Sequence, residues 1–123
     1  MNPARTLVRD LFKAGMPAWN VIATSRTADA VVKPTAVLWV SQLARQNIGR
    51  RAVVSTVDLW LLPPSTLAPD ALEDEADAML AEAVALIEAH KALVWTEATR
   101  SALDDFHGWK LSLTLAHQIV PTT

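Results

Sequence analysis

Apolar positions recur along this chain with two different periods, and each change of period marks an element. Near the start, Leu7, Val8, Leu11 and Phe12 fall at helical spacing behind Asn2-Pro3, an N-cap followed by a proline suited to the first helical position. Gly15 and Pro17 supply the stop, so the spacing predicts a short helix ending near Gly15. Residues 18–23 read as a short strand, and residues 24–33, rich in Ser, Thr, Arg and Asp, as a surface loop. The period then becomes two. Residues 35–43 and 52–62 are β-rich, and the cationic segment from Arg45 to Arg51, with Gly49, joins them as a hairpin with a longer loop. Pro34 bounds the hairpin on one side and Pro63-Pro64 on the other, where two missing backbone donors stop the second strand. In that strand Val53, Val57, Leu59 and Leu61 make a core face, while Val54, Thr56, Asp58, Trp60 and Leu62 make a mixed one. The mixed face calls for a cover, either a helix of the same chain or a neighbouring copy.

Helical spacing returns after the connector of residues 63–69. Leu72, Ala76, Met79, Leu80, Ala83, Leu86, Ile87 and His90 predict a helix over residues 70–92, rich in alanine and able to lie close against a sheet. Glu73, Asp74, Glu75 and Asp77 at its start, and His90 and Lys91 at its end, are placed as the helix dipole favours, which reads as a solvated face. Residues 93–98 predict a strand and residues 99–108 a connection with turn residues. The last strand, residues 109–120, sets Leu111, Leu113, Leu115, His117 and Ile119 against Lys110, Ser112, Thr114, Ala116 and Gln118. The order α-β-β-β-α-β-β implies a single α+β domain over residues 1–123, a mainly antiparallel sheet carrying both helices on one side.

Composition narrows the chemistry. The absence of cysteine excludes a disulfide framework, a zinc-thiolate site and a cysteine nucleophile. A formal charge of −2 and a pI near 5.8 argue against a broad cationic surface for nucleic acid. No apolar run approaches the roughly 18 residues of a membrane span, and no signal pattern opens the chain, which reads as soluble and unexported. Three glycines are too few for a phosphate-binding loop, and no serine sits in a glycine-framed elbow. Asp104, Asp105 and His107 are the nearest approach to a metal cluster but read as a capped, solvated turn, and His117 as a core histidine. No cofactor is expected. Trp39, Trp60, Trp95 and Trp109 all fall on strands, where core packing is the first explanation and an interface the second.

The opening helix, the Trp19-Asn20-Val21 strand, the Lys33-Pro34-Thr35-Ala36-Val37-Leu38 segment, the long hairpin, the acidic alanine-rich helix, Leu93-Val94-Trp95-Thr96-Glu97-Ala98 and the Trp109-initiated strand together form a familiar series. In element order, length and local patterns, nearly the whole chain resembles the tail terminator proteins of long-tailed, siphovirus-like bacteriophages. The resemblance includes no catalytic motif. It implies a non-enzymatic α+β subunit of the virion, assembled in the host cytoplasm as a hexameric ring at the head-proximal end of the tail. There it would stop growth of the tail tube protein and present a surface to the head connector, while DNA passes through the lumen without specific binding and no membrane is involved. On this reading the candidate subunit and tube contacts are Asp58, Trp60 and the hairpin arginines Arg45, Arg50 and Arg51, with Arg26 and Asp29 as a second group. These positions follow from strand and loop logic. The alternatives are another neck component, such as a head-closure protein, and a small enzyme or binding domain from a different setting.

Overall fold

A computed structural model describes residues 3–23, 31, 33–45, 52–103 and 106–118. The elements follow in the order α1 (Pro3–Gly15), β1 (Asn20–Ile22), β2 (Thr35–Arg45), β3 (Ala52–Leu62), α2 (Pro69–Glu88), β4 (Leu93–Leu103) and β5 (Phe106–Gln118). The strands form one sheet in the order β1-β2-β3-β5-β4, antiparallel throughout except for the parallel β1–β2 pair. This is the expected α+β architecture.

Both helices pack on the same face. On β3 the core positions are Val57, Leu59 and Leu61, which the register sets beside Leu38 and Ala36 of β2 and Leu113 and Leu111 of β5. Against them α1 buries Ala4, Val8 and Phe12, a strict four-residue stripe, and Trp19 stacks on Phe12 with ring centroids 6.0 Å apart. From α2 come Ala76, Met79, Ala83 and Ile87. The small residues of this stripe let α2 lie close to the sheet, as its composition leads one to expect.

Several details differ from the sequence reading. The helix α2 stops at Glu88, and His90 and Lys91 lie beyond it: the His90 N–H donates to the Ile87 carbonyl, and His90 Nδ1 accepts from the Ala92 N–H at 3.2 Å. These contacts turn the chain sharply into β4. That strand runs five residues past Ala98, and Leu103 pairs with Phe106, so the connection to β5 spans only residues 104–105. Turn-forming residues between 99 and 102 are overridden by pairing along β5, whose register continues through Gly108 and His107.

Two acidic residues of α2 read as solvated are instead attached to the sheet. Glu73 pairs with Arg100 at 2.6 Å, and Asp77 accepts from Trp109 Nε1 at 3.2 Å. Glu88 adds a third link, accepting from Trp95 Nε1 at 3.0 Å. Arg100 also lies over the Trp109 ring, 5.2 Å from its centroid. These exposed links orient α2 over β4 and β5 more than they stabilise it, since each is worth at most about 1 kcal/mol in water. Trp95 is accordingly 37% exposed and is no core residue.

Residues 24–33 were expected to form a surface loop, yet Val31 is fully buried. Its carbonyl accepts from both the N–H and the Oγ of Ser65, each at 2.9 Å, which fastens this point to the connector after β3. Val31 packs with Val37, Trp60 and Leu62, and Ile22, Trp39 and Phe106 lie against them. Among the described residues, Val31 of this same chain therefore covers that corner of the mixed face.

Candidate functional site

The face of the sheet opposite the helices is built by the alternate residues of four strands, and register decides which side chains meet. Three rows cross it: Val37, Trp60, Lys110 and Thr99; then Trp39, Asp58, Ser112 and Glu97; then Gln42, Thr56, Thr114 and Val94. The first two rows concentrate aromatic and charged groups. Trp39 and Trp60 lie 4.2 Å apart between ring centroids at an angle of 39°. Lys110 places its ammonium 5.5 Å from the Trp60 centroid, a cation–π arrangement worth about 0.5–1 kcal/mol.

Asp58 sits in the middle of this face, 9% exposed, and accepts from Ser112 Oγ at 3.3 Å. Trp60 is 7% exposed, and its indole N–H is buried with no hydrogen-bond partner among the described residues. An orphaned buried donor is unfavourable by about 1–3 kcal/mol. Replacing Trp60 with phenylalanine removes that donor along with part of the ring, so the net change in stability should stay below about 1.5 kcal/mol, against about 3–5 kcal/mol for Trp60→Ala. Urea unfolding of the two variants checks this. A phenylalanine variant as unstable as the alanine one would show that the N–H is used within the fold.

Both strand irregularities lie at the borders of this face. The register shifts between Val40 and Gln42 in β2 and between Trp95 and Glu97 in β4, leaving Ser41 and Thr96 as the extra residues. Each turns its hydroxyl to the neighbouring strand: Ser41 Oγ donates to the Thr56 carbonyl at 3.3 Å and Thr96 Oγ to the Ser112 carbonyl at 3.2 Å. Both bulges thus keep a ladder carbonyl satisfied. Beyond them β4 is an outer strand of eleven residues with Val94 57% exposed.

Of the residues singled out from sequence, Asp58 and Trp60 come together here, joined by Trp39, Lys110 and Ser112. Those three were missed as a group because only strand pairing makes them neighbours; the one available signal was that each lies on a polar or mixed strand face. Arg45 ends β2 opposite Val53, away from Trp60 along the hairpin, and its backbone alone is described. Arg26, Asp29, Arg50 and Arg51 lie outside the described residues, as do Asp104, Asp105 and the His117 side chain.

The described residues offer little for small-molecule chemistry. A cleft lined by Pro63, Ser65, Leu72, Phe106 and His107 holds about 170 Å³, below the roughly 300–1,000 Å³ of ligand pockets. Its one hydroxyl, Ser65 Oγ, is bonded to the Val31 carbonyl. Among the described residues no group of three acidic or histidine side chains is placed to hold a metal ion, and no helix is long and apolar enough to cross a membrane. No protein-family model matches the chain, and none of the curated proteins compared with it matches.

Proposed function

We propose that this chain is a structural subunit of a long-tailed phage, forming a ring, six copies in the family it resembles, at the head-proximal end of the tail tube. There it ends tube polymerisation and offers the surface on which the head connector is joined; it is not an enzyme. The observation that carries this reading is the one-sided sheet. Helices cover one face, and the other carries the half-buried Trp39 and Lys110 beside a buried Trp60 and Asp58, bordered by a long outer strand. Tryptophan is among the residues most enriched at interface hot spots. A ring subunit needs two different patches, because each copy meets one neighbour on either side and a tube or connector above and below. The element order supports the same reading, since it is the order on which the resemblance rests.

The tail-length distribution in lysates of a phage whose copy of this gene is disrupted tests it. Overlong tubes without heads are expected, because nothing then stops growth. Headless tails of normal, uniform length would overturn the terminator reading and assign the chain to head joining instead.

A further inference from the structure

Charge is unevenly divided along the chain. Residues 1–51 carry eight Lys and Arg against two Asp, whereas residues 52–123 carry three against eleven Asp and Glu. Among the described residues the fold converts part of this division in sequence into one in space. The sheet order sets β1 and β2 at one edge and β4 at the other, with α1 packed chiefly on β1 and β2 and α2 chiefly on β4.

On the first flank Arg5, Arg9 and Lys13 follow one another every four residues along α1, off its buried stripe of Ala4, Val8 and Phe12, with Asp10 paired to Arg9 at 3.0 Å as the one acid of that helix. Lys33 stands exposed just before β2, and Arg45 ends that strand. On the second flank α2 holds seven acidic residues and no basic one. Asp70, Glu73, Asp74, Asp77 and Glu88 share the side of the helix that meets β4 and β5, as the links of Glu73 to Arg100, Asp77 to Trp109 and Glu88 to Trp95 establish. Glu97 adds a further carboxylate to the outer strand, on the face away from α2.

We infer that copies of this chain associate head to tail, the acidic α2–β4 flank of one seated against the basic α1–β2 flank of the next. The occupant is a second copy because the two flanks complement each other in charge. A two-fold pairing through either flank would bring like charges together, which opposes association, whereas a heterologous contact repeats the favourable meeting around a closed ring. The two outer limits of the sheet lie on these same flanks, so the contact brings strand edge towards strand edge. This deepens the ring reading above by naming the contact between subunits.

Sedimentation of the purified chain and two charge-reversed forms tests the inference. One form carries Arg9→Glu with Lys13→Glu, the other Asp70→Lys with Asp74→Lys; all four positions lie off the buried helix stripes. Wild type should associate at low salt and weaken about tenfold or more towards 1 M salt, where screening shortens the range of charge to ~3 Å. Each form alone should stay monomeric, with wild-type circular dichroism. Mixed in equal amounts, the two should associate, since every contact then pairs an acidic flank with a basic one. A wild type that is monomeric at low salt, a single form that associates as wild type does, or a mixture of folded forms that stays monomeric would each overturn the contact. The assay contains no tails, so its failure is distinct from a normal tail length in the disruption experiment.

Discussion

Replacing Gly108 with alanine should destabilise the protein by about 3 kcal/mol or more, a large part of the roughly 5–15 kcal/mol by which domains are stable. Gly108 lies in β5 opposite Ser101 of β4, one residue before the Leu61–Trp109 pair. A Cβ built there runs into the backbone carbonyl oxygen of Leu61 and also meets Leu62 Cδ2 at 3.3 Å. The backbone at Gly108 is not in the left-handed region, so the objection is one of space alone. Leu61 ends the β3–β5 pairing, and a backbone carbonyl fixed by the chain on either side cannot move away as the end of a side chain can. Gly15 provides the contrast. There an added Cβ meets Leu86 Cδ1 at 2.7 Å and Cδ2 at 2.9 Å, the free end of a half-buried side chain that can change rotamer. Alanine also favours the helix over glycine, so Gly15→Ala should stay within about 1 kcal/mol of wild type. Urea midpoints of the two variants separate these outcomes, and a Gly108→Ala protein of near-normal stability would show that β3 and β5 are not this close.

Val31→Asp is expected to be nearly as damaging, at about 3–5 kcal/mol, because it places an uncompensated charge where no water reaches. Val31 is fully buried among Val37, Trp60 and Leu62. Loss of that corner would also uncover Trp60, so the change should be visible as a red shift of tryptophan emission before the main unfolding transition. The matched control is Val94→Asp on the outer strand, where a 57% exposed side chain leaves the new charge hydrated and the cost at about 1 kcal/mol or less. Equal effects of the two substitutions would contradict the burial of Val31.

That pair of substitutions also marks where reading the sequence stops. Residues 24–33 contain the composition of a loop, and nothing in their order marks Val31 for burial where Val94 stays exposed. Burial of Val31 depends on Ser65, far along the chain, whose N–H and Oγ both bond its carbonyl. Likewise residues 99–103 look like a turn on their own, and become strand because β5 offers them a continuous partner. The acids of α2 look solvated until the helix is laid over Arg100, Trp109 and Trp95.

The pattern of the chain by itself determined the class and the order of its elements. Period 3.6 with proline and glycine limits gave α1 and α2, and period two with flanking prolines gave the β2–β3 hairpin, because both signals are local and rest on backbone geometry that neighbours in sequence share. It also determined that Leu59 and its alternates would be core, and that Asp58 and Trp60 would share the other face. Tertiary structure alone decided what stands beside them. Strand register, set by pairings such as Trp39 with Asp58 and Trp60 with Lys110, brought Trp39 and Lys110 to Trp60. The sheet order likewise set α1 beside β1 and β2 on one flank and the acidic α2 beside β4 on the other. Neither arrangement is written in any local stretch, since both depend on which strand edges find each other once the core has closed.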